Sequence, residues 1–129
     1  MRVGVALSDE TRTISQPHLT LIRRGDRSLL REIVKLVGEQ EVTGIVVGLP
    51  LRMNGTRGQE AEAAVALGRM VAGATGLQVY FCDERLTSKQ AEKEMIGHGE
   101  SRRGRREAGD RVAAALLLQG VLAGGPLLP

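Results

Sequence analysis

The sequence is poor in the residue types on which several classes of protein depend. It has no tryptophan, one phenylalanine and one tyrosine, which argues against binding of single strands on stacked aromatic side chains. Cys82 is the only cysteine, which excludes an internal disulfide and fits a reducing compartment. No apolar run approaches the ~20 residues of a membrane span, and the start lacks a signal-peptide pattern. We therefore expect a soluble, cytoplasmic protein with no role at a membrane.

The composition that is present suits one compact domain. The chain has 129 residues, of which 42% are hydrophobic, and no Pro/Ser-rich linker divides it, so we predict a single domain over residues 1–129. The 18 basic and 15 acidic residues give a net charge of only +3. Their distribution is uneven, because four arginines crowd one short stretch: Arg102, Arg103, Arg105 and Arg106. Such a cluster suits phosphate backbones, although a solvated arginine-rich loop would have the same composition.

Apolar patterning predicts an α/β fold that begins with an antiparallel hairpin. The two hairpin strands are expected at Arg2–Ser8 and Ile14–Arg23, with Pro17 marking an edge or a bulge. The strand predicted at 43–49 contains the unbroken apolar run Ile45-Val46-Val47, which is typical of the interior of a parallel sheet. The elements predicted after the hairpin are a helix capped by Asp26, a strand at 43–49, a helix at 59–74, a strand at 77–82, a short helix at 87–97 and a last helix at 107–123.

Acidic residues stand out at two places in the sequence, after the strand at 77–82 and on the last helix. Asp83 and Glu84 follow an apolar strand, and in open α/β sheets ligands bind beyond the carboxyl ends of parallel strands. Successive strand residues point to opposite faces, so the two acids are not expected to share one role. Asp110 lies on an apolar face of the last helix, and an acid aimed at a core needs a partner such as a metal or an arginine. The structural alternatives are polar residues that close a strand, and an acid in a helix's first turn near the positive end of the dipole.

The loop after the third strand is a further candidate. Its turn at Asn54-Gly55 brings backbone amides and Arg52 to the same edge of the sheet, where loops often bind anions or position a substrate. A plain connecting turn would have the same sequence.

Four stretches together resemble the YqgF/RuvX family, also described as Holliday-junction-resolvase-like proteins or pre-16S rRNA nucleases. The stretches are 2–9, 46–51, 83–87 and 101–119; they lie in the family's order and cover nearly the whole chain. The resemblance implies an RNase H-like fold, a mixed sheet with an N-terminal antiparallel hairpin flanked by helices. It also implies three acidic residues that hold Mg²⁺ or Mn²⁺, with Glu84 and Asp110 as two of them. The residues expected to bind nucleic acid are Arg52, Asn54, Arg85, Arg102, Arg103, Arg105 and Arg106.

The sequence departs from the family pattern at its start. Family members open with an apolar strand of the form Leu-Gly-Leu-Asp-x-Gly, then a basic pair, and Met1 stands where that pair begins. A misassigned start, a truncated chain or an inactive paralogue would each explain this. We expect the strands at 2–8 and 43–49 to have one neighbour fewer, compensated by a homodimer or a rearranged hairpin. If the chain as given cleaves RNA with a metal, Asp9 or Asp83 is the next candidate for a third ligand.

The function that the resemblance implies is a metal-dependent nuclease that processes the 5′ end of pre-16S rRNA during ribosome biogenesis. Its partners would be that RNA or ribosomal precursor particles. Cleavage of branched DNA, as by a Holliday-junction resolvase, stays open as a second enzymatic hypothesis. A catalytically impaired nucleic-acid-binding module is the third.

Overall fold

Helices and strands alternate along the chain after an initial pair of strands. The computed structural model describes residues 2–22, 24–84, 102–125 and 127, and for residues 102–108 the backbone alone. The chain divides into two compact units, the first built from residues near both ends and the second from the middle of the chain. The prediction of one domain stays a prediction.

The first unit contains the predicted hairpin. Strands β1 (Arg2–Ser8) and β2 (Ser15–Ile22) pair antiparallel, and their register shifts between Val5 and Ala6, opposite Pro17. Proline has no N–H to donate to a ladder, so an irregularity at this position is the expected consequence. The hairpin and its bulge are therefore confirmed.

A long helix, here α3 (Arg102–Leu122), packs on this hairpin. Near its end the Gln119 side chain bridges the hairpin turn: its Oε1 accepts from the Ser15 amide at 2.9 Å, and its Nε2 donates to the Thr13 carbonyl at 2.9 Å. The Ser15 hydroxyl also donates to the Ala115 carbonyl. Backbone groups at the start of β2 thus find partners on the helix, which holds the two elements together.

The second unit is a two-stranded parallel sheet with two helices. Its elements are α1 (Asp26–Glu39), β3 (Ile45–Leu49), α2 (Gln59–Thr75) and β4 (Val79–Asp83). Strand β4 pairs parallel to β3, so that Leu49 lies opposite Asp83. Helix α2 packs on both strands and on α1. The buried centre of this unit consists of Leu49, Ala61 and Val65, and Phe81 packs against them.

The described residues thus form an α/β protein with a small antiparallel hairpin, a parallel strand pair and three helices. Within the described ranges, β1 and β3 each have one hydrogen-bonded neighbour. None of the helices in this part of the chain is both long and apolar enough to cross a membrane.

Some element boundaries differ from prediction. Asp26 is the first residue of α1 rather than its cap, since the cap is Gly25 and no side chain caps the helix. β3 begins at Ile45 rather than Thr43, and β4 runs to Asp83 rather than Cys82. The largest difference is α3, which begins at Arg102, five residues before the predicted start. The predicted helix at 87–97 lies outside the described residues.

Candidate functional site

Asp110 lies where α3 touches β1 most closely. A Cβ added to Gly4 would stand 2.1 Å from the Asp110 carbonyl oxygen and 3.0 Å from the Arg111 amide nitrogen. Only a glycine leaves room for the helix backbone at this distance, and close approach of another backbone is one of the reasons for a glycine inside a strand. The position of Asp110 is therefore fixed by the backbone of β1.

The Asp110 carboxylate contacts a cation. Its Oδ2 lies 3.0 Å from Arg2 Nε, with 35% of the Arg2 side chain and 27% of the Asp110 side chain exposed. The Oδ2 atom is itself buried, and its contact with Arg2 is an ion pair rather than an aligned hydrogen bond. The sequence predicted that this acid would need a metal or an arginine as partner. In this structure an arginine fills that role.

The structural alternative for Asp110, placement in the first turn of its helix, is wrong. An acid in the first turn of a helix gains from the helix dipole, an effect that fades beyond that turn. Because α3 begins at Arg102, Asp110 is its ninth residue. The carboxylate instead contacts Arg2 of the strand, and its backbone lies against Gly4.

Sequence reasoning missed Arg2. The signal was present, because alternate strand residues share a face, so that Arg2 lies on the same side of β1 as Gly4. A glycine in a strand marks a close backbone approach, and a charged residue two positions away meets whatever approaches. The identity of the approaching helix was the missing information.

Glu84 directly follows the last residue of β4, at the carboxyl end of the parallel pair, and is partly buried. Asp83 is the last residue of that strand, paired in register with Leu49. Both positions agree with the predicted placement of acids at a strand end. The convergence of Glu84 with Asp110 stays a prediction.

Asp9 acts within the hairpin turn. Its Oδ2 accepts from the Thr11 hydroxyl at 2.6 Å, and its Oδ1 accepts from the amides of Thr13 and Ile14 at 2.8 and 3.1 Å. The Thr11 hydrogen bond, followed by those from the Ile14 and Thr13 amides, lowers the pKa of the Asp9 carboxyl below its usual value. Both carboxylate oxygens therefore stabilise the turn, which argues against Asp9 as a third metal ligand.

The loop after β3 forms a closed turn. The Arg52 amide donates to the Thr56 carbonyl at 2.9 Å, and the Gly55 amide donates to the Arg52 carbonyl at 2.8 Å. Asn54 Oδ1 accepts from the Thr56 hydroxyl at 2.7 Å and from its amide at 3.1 Å. The Arg52 guanidinium lies against Gly58, which caps α2. Asn54 thus has a structural task in the turn, and its predicted nucleic-acid contact stays a prediction, like that of Arg52.

The arginine cluster belongs to a helix rather than a loop. The backbone of Arg102, Arg103, Arg105 and Arg106 forms the first turns of α3. Their predicted contacts with phosphates concern side chains outside the described atoms, and Arg85 lies outside the described residues. Arg111, further along the same helix, donates to the Thr20 hydroxyl of β2 at 3.2 Å.

The donor chemistry of the two candidate ligands suits a hard divalent cation, because Glu84 and Asp110 offer carboxylate oxygens. At Asp110 the buried Oδ2 already holds a positive group, so this position fits a cation. Within the described ranges, no three His, Cys, Asp or Glu side chains form a cluster that could hold a metal. A complete set of ligands stays a prediction.

The described residues form an α/β protein in which the Asp110 carboxylate is fixed where α3 meets β1. A family model described as "RuvX: Holliday junction resolvase" matches residues 1–124. The chain belongs to this family, which confirms the resemblance to YqgF/RuvX proteins.

Relatives with curated names agree. A protein of Rhodobacter capsulatus is 42% identical over 121 residues, which cover 93% of this chain and 76% of that protein. One of Moorella thermoacetica is 43% identical over 123 residues, covering 93% and 86%. One of Syntrophomonas wolfei is 40% identical over 126 residues, covering 98% and 89%. Each carries the name "Putative pre-16S rRNA nuclease".

Proposed function

We propose that this chain is a metal-dependent nuclease with an RNase H-like fold that processes the 5′ end of pre-16S rRNA. Membership of the RuvX family and the names of its relatives support a nuclease that acts on nucleic acid. The structural observation that carries the proposal is Asp110. This carboxylate is fixed by a close backbone approach and bound to a cationic group.

Mg²⁺ or Mn²⁺ is part of the proposal. Glu84 and Asp110 would hold the ion, which, when bound, activates a water and stabilises the leaving oxygen of the phosphodiester. The chain's own contribution at Asp110 is placement, because β1 fixes the helix backbone from which this carboxylate projects. Rigid placement of ligands is what a metal site requires of a protein.

Cleavage of a transcript that spans the 5′ end of 16S rRNA and its leader tests the activity. We expect cleavage with Mn²⁺ or Mg²⁺, none with EDTA, and losses of at least about 100-fold for Glu84→Gln and Asp110→Asn, since even outer-shell partners of metal ligands contribute roughly 10–100-fold. Glu39→Gln is the matched control, because this exposed glutamate on α1 pairs only loosely with Lys35, at 3.8 Å. Cleavage that survives both site substitutions would refute the assignment of Glu84 and Asp110.

Branched DNA is the second candidate substrate, and the family's own description favours it. A four-way DNA junction assayed beside the rRNA transcript, at equal protein concentration, separates the two. Preferred cleavage of the junction would replace the rRNA proposal. Tight binding of either substrate without cleavage under any metal would instead identify a catalytically impaired binding module, acting on RNA or on ribosomal precursor particles.

The arginine-rich start of α3 is proposed to hold the phosphate backbone. Replacing Arg102, Arg103, Arg105 and Arg106 with glutamine should weaken binding and flatten its salt dependence, because each lost phosphate contact removes about 0.7–0.9 from the slope of log K against log salt. Replacing Arg24, Arg27, Arg31 and Lys35 with glutamine, four exposed basic residues in or next to α1, removes the same number of charges and controls for net charge. An unchanged slope in the α3 variant would contradict this role.

Self-association is also proposed. β1 pairs only with β2, and β3 only with β4, in the part of the chain that the structure describes. Strand edges of this kind tend to recruit a second chain. Light scattering during size-exclusion chromatography should report a homodimer, and a monomer at every concentration would refute the proposal.

A further inference from the structure

Asp110, a candidate metal ligand, already forms an ion pair with a positively charged side chain, that of Arg2. Asp110 Oδ2 is buried at the contact between α3 and β1, and Arg2 Nε lies 3.0 Å from it. A buried carboxylate oxygen is costly unless a hydrogen-bond donor or a cation compensates it. Arg2 supplies this compensation from the same face of β1 that admits the helix backbone at Gly4.

We propose that Arg2 sets the cation affinity of Asp110: its guanidinium is the counter-ion that this carboxylate keeps until a divalent cation replaces it. The inference rests on the proposed function, in which Asp110 is a metal ligand. A guanidinium and a divalent cation cannot both lie at bonding distance from one carboxylate oxygen without strong repulsion between them. Binding of the ion through Oδ2 therefore requires release of Arg2.

Release of this arginine is physically accessible. The Arg2 side chain is 35% exposed, so its charged end can turn to water while its aliphatic stem stays on the protein. Ion pairs with such exposure are weak, so the competition is moderate. Because the pair is broken in the metal-bound form, its contribution to stability belongs to the metal-free form alone.

Direct measurement of Mn²⁺ binding by titration calorimetry, without any nucleic acid, tests this inference. Arg2→Met, which removes the charge at similar length, should bind Mn²⁺ about two- to fivefold more tightly than the wild type, as expected for loss of a partly exposed ion pair. Arg2→Lys, which keeps the charge, should return the affinity to near the wild-type value. Asp110→Asn should lose this binding, and adding Arg2→Met to it should then have no effect.

Thermal unfolding gives an independent readout. Without metal, Arg2→Met should lower the Tm by about 2–5 °C, the scale of a partly exposed pair in a chain of this length. At saturating Mn²⁺ the difference from the wild type should vanish, because ligand binding and folding are linked. If Arg2→Met does not fold, Arg2→Gln, which keeps a hydrogen-bond donor, replaces it in both measurements.

The outcomes separate the inference from the function on which it rests. An equal or weaker Mn²⁺ affinity in Arg2→Met, with binding still lost in Asp110→Asn, would overturn the inference and leave Asp110 as a metal ligand. Arg111→Met removes a second charge from the neighbourhood, one whose guanidinium donates to Thr20. An equal gain in this variant would also overturn the inference, because any charge removal would then suffice. Mn²⁺ binding unaffected by Asp110→Asn would refute both the metal ligand and the inference.

Discussion

Gly4→Ala tests the contact that fixes Asp110. The added Cβ would lie 2.1 Å from the Asp110 carbonyl oxygen and 2.4 Å from its carbon. To reach an ordinary contact of 3.4 Å, the oxygen must recede by about 1.3 Å. These atoms are helix backbone, so no side-chain rotation can relieve the overlap, and α3 must shift on the hairpin.

The expected result is a net loss of about 1–2 kcal/mol in the free energy of unfolding. Over-packing a contact costs typically ~1–3 kcal/mol. Replacing a strand glycine by alanine returns roughly 0.5–1 kcal/mol through the lower entropy of the unfolded chain. The overlap outweighs the entropy because backbone atoms are the obstacle.

Urea denaturation followed by circular dichroism measures this change, and an unchanged m value shows that the unfolding transition itself is the same. Gly120→Ala is the matched control, because it lies inside α3 with nothing within 4 Å of the added Cβ. That variant should gain about 0.5–1 kcal/mol, the usual advantage of alanine in a helix. Wild-type or higher stability of Gly4→Ala would refute the close approach.

The contacts of Asp9, Gln119 and Gly68 can each be tested by one substitution. Because the pKa of Asp9 is lowered in the folded protein, its contribution to stability is present above its ordinary pKa of 3.8 and is lost as the pH falls through the lower native pKa. Asp9→Asn should therefore flatten the loss of Tm below pH 4. An unchanged dependence of Tm on pH in this variant would contradict the prediction. Gln119→Met removes two hydrogen bonds to backbone groups of the hairpin and a longer one from the Ser15 hydroxyl. It should lower the free energy of unfolding by about 1–3 kcal/mol, as measured in urea; no loss would mean that water replaces the side chain. Gly68→Ala would put a Cβ 2.6 Å from the Phe81 ring and should lower the free energy of unfolding by about 1 kcal/mol or more. The control Gly73→Ala has open space in the same helix and should raise the free energy of unfolding. Equal effects of the two substitutions in urea denaturation would exclude the contact between Gly68 and Phe81.

Local patterns predicted the parts of the fold that local chemistry determines. The alternation of β1, the bulge at Pro17 and the apolar run of β3 each depend on neighbouring residues, and each element is present. The start of α3 was missed because hydrophobic periodicity reports a helix only where the helix packs. Its first turns, from Arg102, carry arginines, which have a high helix propensity but form no apolar face.

The candidate site was predicted in part for the same reason. Asp110 was identified from the sequence because an acid on an apolar helix face needs a partner such as a metal or an arginine. Its partner Arg2 comes from the other end of the sequence, and the pair exists only because Gly4 admits α3 at that point. A contact of this kind depends on which helix packs on which strand face, and local patterns do not contain that information.

Arg2 and Gly4 lie two residues apart on one face of β1, yet they should affect Mn²⁺ binding in opposite directions. Gly4→Ala moves the helix backbone and should weaken binding at Asp110, because a displaced ligand no longer meets its partners. Arg2→Met leaves the backbone in place and removes a competing charge, so it should strengthen binding. General loosening of the hairpin would shift both affinities the same way. Titration of both variants with Mn²⁺ under identical conditions therefore separates placement from charge, and changes of the same sign would contradict the separate roles assigned to the two residues.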